Sequence, residues 1–326
     1  MSNENKKNNL TLIVPVYNEQ DCIVPFINEV CKVHKDKLSN WNIHILFVND
    51  GSTDNTLKVI KTSNKDNLES KVKIHYISFS RNFGKEPAIF AGLKQAYELI
   101  TSTYYVVMDV DLQDPPSLLP TMIDYLECNK DYNRVATRRS TRKGEPVVRS
   151  FFAKCFYKLI NKTSDVKLVD GARDFQIMTG IYVKSLLKCG EYNRFFKGLS
   201  QWVGFKTHWI EYENIQRTKG KTKWSFFGLF KYSLEGLIAF SSLPLKMISC
   251  FGFFLSFLTF FALLFVVIKA LCFGDRVAGW PSTICIILLM SGILIFSIGI
   301  LGLYLEKAYT ETKNRPIYIV EEKNLD

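Results

Sequence analysis

The chain has 326 residues, of which 47% are hydrophobic, and its formal net charge is +11. The apolar content excludes a disordered chain, and 18 glycines and 10 prolines are too few for a fibrous one. The excess of basic charge predicts an anionic partner, which could be nucleic acid, a membrane surface or a phosphorylated substrate.

Strand-like and helix-like segments alternate through the first two thirds of the chain. Runs of apolar and β-branched residues predict strands at Thr11–Tyr17, Asn42–Val48, Lys73–Phe79, Tyr104–Met108 and Arg134–Thr137. Helical patterns lie between them, at Asp21–His34, Asp54–Thr62, Glu86–Ile100 and Ser117–Leu126. This alternation is typical of βαβ units, so we predict an α/β domain with a mostly parallel sheet in residues 1–223.

The composition changes after residue 223. Met247–Ile268 and Val277–Leu305 carry no charged side chain, and about 20 apolar residues in a helix span a bilayer. We therefore predict two transmembrane helices within residues 246–306. Residues 224–245 are rich in Phe and Leu but too interrupted to span, which predicts helices lying in the membrane interface.

Basic residues flank both predicted spans on the same side of the membrane. The positive-inside rule therefore places the N-terminal domain and the tail, residues 307–326, in the cytoplasm of a multi-pass inner or plasma membrane protein. We also expect the tail to run back along the N-terminal domain.

Polar side chains follow the first two predicted strands. Pro15, Tyr17 and Glu19 close the first strand, and Asp50 follows the second. Ligands of open parallel sheets bind at the carboxyl ends of the strands, where a carboxylate can accept from a base or a ribose hydroxyl. The chain has no GxGxxG after the first strand and no GxxxxGK[ST], which disfavours dinucleotide and P-loop sites.

An acidic pair, Asp109 and Asp111, follows the fourth predicted strand, and Gln113 comes two residues later. We expect the pair to meet solvent at the ligand edge of the sheet. Two close carboxylates repel each other unless a cation lies between them. Mg2+ and Mn2+ prefer carboxylate, amide and diphosphate oxygens, so the pattern predicts a divalent metal site. The alternative is a pair of solvated acids in a loop.

These motifs resemble those of family 2 glycosyltransferases with the Rossmann-like GT-A fold. Among these enzymes, the chain is most similar to the polyprenyl-phosphate glycosyltransferases of the dolichol-phosphate mannose synthase and GtrB type. The resemblance includes Ser80–Lys85, Asp174-Phe175 and Arg217-x-x-Gly220-x-Thr222-Lys223-Trp224, and it continues into the predicted spans. Gln176 stands where many relatives carry Arg, which would remove a charge near the sugar and acceptor.

The resemblance implies a role for each motif. The nucleotide would be held by Pro15, Tyr17, Glu19, Asp50 and Asp109. Mg2+ or Mn2+ and the diphosphate would be bound by Asp109, Asp111 and Gln113. The catalytic residues would be Asp111, Asp174 at the sugar and acceptor site, and Arg217 and Lys223 on a loop that closes over the donor phosphates.

The segment 134–162 is strongly basic, with Glu145 as its one acid, and its second half has helical periodicity. A helix with one basic and one apolar face suits an anionic bilayer surface and can guide a lipid phosphate. A solvated basic face is the alternative. By family position, Arg138 and Arg149 are candidates for binding the acceptor phosphate. Nucleic acid is disfavoured because the basic cluster adjoins membrane helices.

We therefore expect a membrane enzyme of the EC 2.4 class that is metal-dependent and inverting. It would move a hexose, with UDP-glucose as first choice of donor, to undecaprenyl or another polyprenyl phosphate. One alternative is a transferase that extends a lipid-linked glycan or polysaccharide, although a processive synthase is disfavoured because no QxxRW motif occurs. The other is a non-catalytic membrane scaffold. The resemblance also suggests a homotetramer.

Overall fold

The computed structural model describes residues 8–66, 71–140, 161, 167, 169–213, 243–273 and 280–325. The strands are β1 (Asn9–Val16), β2 (Asn42–Asn49), β3 (Val72–Phe79), β4 (Tyr104–Val107), β5 (Arg134–Arg139), β6 (Ala172–Thr179), β7 (Thr207–Tyr212) and β8 (Val320–Lys323). The α-helices are α1 (Gln20–Lys37), α2 (Thr56–Asp66), α3 (Lys85–Leu99), α4 (Leu119–Cys128), α5 (Gly180–Leu187), α6 (Phe196–Trp202), α7 (Leu243–Phe273) and α8 (Trp280–Thr312).

All eight strands form one sheet in the order β7-β5-β6-β4-β1-β2-β3-β8. The central strands are parallel, since β1 pairs with β2 and β4, and β2 pairs with β3. Strands β6 and β8 run antiparallel to their neighbours. The predicted mostly parallel α/β sheet is confirmed. The strand order reverses on either side of β1, so the carboxyl ends of β1, β2 and β4 border a crevice of the kind that binds ligands.

Two hydrophobic clusters cover the two faces of the sheet. Helices α1, α2 and α4 pack on one face, and α3, α5 and α6 pack on the other. The central strands are buried on both faces, which explains their continuous apolar runs. Helix α3 approaches the sheet closely, because a Cβ at Gly92 would lie 2.3 Å from Cγ2 of Ile13. This packing brings the first residue of α3, Lys85, to the carboxyl edge of the sheet.

Helices α7 and α8 expose large apolar side chains along their length, including Phe253, Phe265 and Ile295. Within the described part of the chain, one helical segment, Leu289–Thr312 in α8, is long and apolar enough to cross a membrane. The predicted span within α7 stays a prediction. The predicted interfacial helices lie largely outside the described residues, which resume at 243.

The C-terminal tail returns to the α/β domain. Strand β8 pairs antiparallel with β3 at the edge of the sheet. The amide oxygen of Asn324 accepts from the backbone N–H of Tyr76 at 2.6 Å, Leu325 is buried, and Tyr318 stacks on Phe79. The expected return of the tail is confirmed. The C-terminal end of α8 therefore lies beside the α/β domain.

Candidate active site

Two loops at the carboxyl ends of β1 and β2 are tied together by Asn18. Its backbone N–H donates to Oγ of Ser52 at 2.9 Å, and its side-chain oxygen accepts from the N–H of Thr53 at 2.8 Å. Asn18 adopts a positive φ of 52°, which turns the chain sharply after β1. Pro15 lies near the carboxyl end of β1, Tyr17 and Glu19 lie in the loop that follows it, and the nucleotide-binding roles of all three stay predictions.

Asp50 is 4% exposed and holds the loop that precedes α3. One carboxylate oxygen accepts from the N–H of Phe83 at 2.7 Å and the other accepts from the N–H of Gly84 at 2.9 Å. Gly51, at a φ of 63°, lets the two loops touch, because a Cβ there would lie 2.3 Å from the carbonyl carbon of Arg81. Asp50 therefore fixes the start of α3. Its predicted contact with a nucleotide stays a prediction.

Lys85 joins two predicted site carboxylates. Its Nζ lies 2.7 Å from Oδ1 of Asp109 and 2.7 Å from Oδ2 of Asp174. These residues come from the start of α3, the end of β4 and the start of β6. The structure therefore brings Asp109 and Asp174 together around one ammonium group. Sequence reasoning noted Lys85 within a motif and gave it no role.

Lys85, Asp109 and Asp174 form a triad in which opposite charges fix the protonation states of Lys85 and Asp174. Burial lowers the pKa of Lys85, but Asp109 and Asp174 outweigh it and raise that pKa above its ordinary value. Burial likewise raises the pKa of Asp174, but Lys85 and Lys197 outweigh it and hold that pKa well below its ordinary value. Asp174 is therefore ionised at neutral pH, and the crevice floor is built to hold positive charge between two carboxylates.

The acidic pair differs in exposure. The side chain of Asp109 is 28% exposed, whereas Asp111 is only 6% exposed. The expectation that both acids meet solvent is therefore wrong for Asp111. The reason is a tight turn, in which Leu112 adopts a φ of 58° and the N–H of Gln113 donates to Oδ1 of Asp111 at 3.1 Å.

Arg173 organises the second part of this turn. Its Nε donates to Oδ1 of Asp114 at 2.9 Å, and its Nη2 donates to the amide oxygen of Gln113 at 3.2 Å. The hydroxyl of Tyr212 donates to the same Asp114 oxygen at 2.5 Å. Asp114 is fully buried. Sequence reasoning missed Arg173, although its position next to Asp174 was a signal that could have identified it.

Replacing Arg173 by Met should lower the free energy of unfolding by about 3 kcal/mol, because it leaves the buried Asp114 carboxylate without a cation. Thermal unfolding of the purified full chain in detergent measures this. Arg138→Met is the matched control, since Arg138 forms an exposed ion pair with Glu211 and such pairs contribute less than about 1 kcal/mol. Equal midpoints for the two variants would show that Arg173 does not support the turn.

The remaining predicted residues lie elsewhere. Arg138 pairs with Glu211 on the surface of β5 and β7, and its acceptor-phosphate role stays a prediction. Arg149, Arg217 and Lys223 lie outside the described residues. Gln176 is 3% exposed and donates to Oγ of Ser200 at 3.1 Å. It is therefore buried on the same face of β6 as Asp174, and the expected loss of a charge near the sugar stays a prediction.

Glu86 introduces a pH-sensitive group beside Lys85. Its carboxylate accepts from the N–H of Phe196 at 2.8 Å. Burial, reinforced by the charge of Asp174, raises the pKa of Glu86 to about 7. The folded protein therefore holds a proton on Glu86 that the unfolded chain releases near its ordinary value, so this group makes stability fall as pH rises from about 5 to 8.

Glu86→Gln should remove this pH dependence while keeping an acceptor for Phe196. We expect the variant to match the parent protein at pH 5 and to be more stable at pH 8, by on the order of 2 kcal/mol. Thermal midpoints across that range measure it. Glu98→Gln, at the exposed end of the same helix, is the control. Parallel curves for parent and Glu86→Gln would contradict the assignment.

The chain matches one family model and several named relatives. The family model described as Glycosyl transferase family 2 matches residues 11–185, a range that includes Asp50, Lys85, Asp109, Asp111 and Asp174. CsbB of Bacillus subtilis (strain 168), named as a glycosyltransferase, is 39% identical over 98% of this chain and 93% of its own length.

Two further relatives carry more specific names. The prophage bactoprenol glucosyl transferase homolog of Escherichia coli (strain K12) is 36% identical over 96% of this chain and 98% of its own. The SfII prophage-derived bactoprenol glucosyl transferase of Shigella flexneri is 35% identical over 97% and 98%. Among solved structures, mannosyl-3-phosphoglycerate synthase from Rubrobacter xylanophilus is 15% identical, with a TM-score of 0.46 and 75% of each chain covered. The family model and the near full-length relatives show that this chain belongs to glycosyl transferase family 2.

Proposed function

We propose that this chain is a membrane enzyme that transfers glucose from a nucleotide sugar to a polyprenyl phosphate. The supporting observation is that relatives named as bactoprenol glucosyl transferases match it over nearly the full length of both chains. The crevice supports the same chemistry, because Asp109 and Asp174 meet around Lys85 where an open parallel sheet binds ligands. UDP-glucose is the first choice of donor.

A divalent cation in the crevice is part of the proposal, and the charges there support it. The Lys85 ammonium already lies between two carboxylates, which shows that a positive charge is stabilised there. Within the described chain, no three His, Cys, Asp or Glu side chains are grouped to hold a metal. The protein would therefore supply few of the metal ligands, from Asp109, Asp111 and Gln113. The donor diphosphate would supply the others, because protein-bound Mg2+ usually takes one or two carboxylates together with substrate phosphates. When bound, Mg2+ or Mn2+ would neutralise charge on the departing nucleoside diphosphate.

The acceptor removes the need for a strong general base. A phosphate monoester is already ionised at neutral pH, its second pKa being about 6, so no proton must be taken from the nucleophile. Asp174, kept ionised by Lys85, would stabilise positive charge that develops at the anomeric carbon or position the acceptor. Alignment of the phosphate oxygen behind that carbon gives a single displacement, and therefore inversion. Arg217 and Lys223 would neutralise the leaving diphosphate.

The membrane arrangement is also part of the proposal. The segment Leu289–Thr312 of α8, which is long and apolar enough, would cross the bilayer, and α7, with its exposed Phe side chains, would form a second span. The tail and the α/β domain lie together at the C-terminal end of α8, so both would face the cytoplasm. A lipid phosphate could then reach the crevice from the inner leaflet.

The test is a screen of nucleotide sugars with undecaprenyl phosphate, using the purified full chain in detergent. We expect UDP-glucose to yield a lipid whose mass has increased by one hexose, with a 1-phosphate linkage of inverted configuration. Transfer only to lipids that already carry a glycan would instead show an extending transferase. No transfer and no donor hydrolysis with any sugar would leave a non-catalytic scaffold and overturn the proposal.

A further inference from the structure

A second cavity lies away from the crevice, where α3, the turn at Gly190–Tyr192 and the chain leaving α8 meet. We call it the juxtamembrane groove and define it by Phe90, Lys94, Tyr192, Asn314, Arg315 and Tyr318. Its volume is about 450 Å³, which is large enough for a small ligand or a lipid headgroup. Lys94 is about 14 Å along α3 from Lys85, so the groove is separate from the transfer site.

The groove carries unbalanced positive charge. Lys94 and Arg315 both line it, and neither forms an ion pair with any residue in the described chain. Glu311 is the one acid among the described lining residues. Its carboxylate already accepts from the backbone N–H groups of Tyr192 and Asn193, at 2.9–3.2 Å. Two cations face the cavity against one engaged carboxylate, so the groove favours an anion.

The position of the groove along α8 indicates the source of that anion. The uncharged stretch of α8 ends at Leu305, and Glu311 lies about 9 Å further along the helix axis. The polar headgroup layer extends roughly 5–7 Å beyond the hydrocarbon core on each side. Tyr309 is exposed in this layer, with Nζ of Lys313 4.1 Å from its ring centroid, as in interfacial belts. The groove begins near Glu311 and therefore borders the headgroup layer on the side of the α/β domain.

We propose that the juxtamembrane groove binds the phosphate of an anionic headgroup through Lys94 and Arg315. The favoured source is a phosphodiester phospholipid of the same leaflet, and a free phosphate is the other source of this chemistry. Such a lipid would connect α3, whose first residue holds the crevice carboxylates, to the end of the membrane helix. This proposal does not depend on the transfer reaction, because binding is measured without a sugar donor.

The experiment is native mass spectrometry of the full chain in detergent, titrated with phosphatidylglycerol and, as a neutral lipid, phosphatidylcholine. We expect selective retention of phosphatidylglycerol. The double variant Lys94→Gln/Arg315→Gln should weaken it about thirtyfold, since each basic residue at an anionic surface contributes about a fivefold factor. Lys35→Gln/Lys37→Gln removes the same charge from α1, on the opposite face of the sheet, and should have no effect.

Competing inorganic phosphate distinguishes the two sources. If the lipid stays bound in excess phosphate, the groove binds a lipid headgroup. If phosphate displaces the lipid, the groove is a site for free phosphate. Both results support an anion site at Lys94 and Arg315. Equal binding of phosphatidylglycerol and of phosphate by the groove variant and the α1 control would overturn the proposal. A selective loss of undecaprenyl phosphate, with phosphatidylglycerol unaffected, would also overturn it by making the groove part of the acceptor path.

Discussion

Asp111→Ala should lower turnover about a hundredfold to a thousandfold even at saturating metal, the range seen when one group that stabilises developing charge is removed. Asp111 is buried and accepts from the backbone N–H of Gln113, so the fold of the turn fixes its position. The loss should appear in kcat for glucosyl lipid formation and should not be recovered by raising the cation concentration.

Asp36→Asn is a matched control, because Asp36 is an exposed acid on α1. It should retain full turnover and the same thermal midpoint. Near-normal turnover of Asp111→Ala would exclude Asp111 as a metal ligand, whatever the other acids do.

Lys85→Met should reduce turnover about a hundredfold, since it leaves Asp109 and Asp174 to repel each other and misplaces both. The measurement is kcat in the same lipid assay. Because Lys85 acts through Asp174, the double variant Lys85→Met/Asp174→Asn should lose much less than the product of the two single losses.

Lys58→Met, on α2, controls for the loss of one surface ammonium and should leave kcat unchanged. Strictly multiplicative losses in the double variant would show that Lys85 and Asp174 act independently. Turnover of Lys85→Met within twofold of the parent would show that the ammonium only occupies the cation position in the absence of substrate.

The sequence predicts the centre of the fold better than its margins, for a physical reason. Strands β1, β2 and β4 are buried on both faces and therefore appear as apolar runs. Strand β8 is an edge strand of sequence VEEK, and its pairing depends on Asn324 and Leu325 binding the domain. No local pattern distinguishes such a strand from a charged tail. Strand β6 begins with polar site residues, which hides its apolar second half.

The site residues also divide into those that a local sequence pattern identifies and those that only tertiary packing brings together. The acids after β4 were identifiable because they interrupt an apolar strand at its carboxyl end. The triad around Lys85 was not identifiable, because its partners are separated from it by 24 and 89 residues and meet only when α3 packs on β1, β2 and β4. The burial of Asp111 also depends on tertiary packing, which is why the sequence pattern predicts an exposed acid there.

The most direct test of the central claim is the cation dependence of glucosyl transfer to undecaprenyl phosphate by the purified full chain. With UDP-glucose and a chelator, we predict no hexosyl phosphate lipid, and restored synthesis on adding Mn2+ or Mg2+. The same addition should fail to restore Asp111→Ala. Undiminished synthesis in the chelator would contradict a mechanism in which the crevice acids hold a divalent cation against the departing diphosphate.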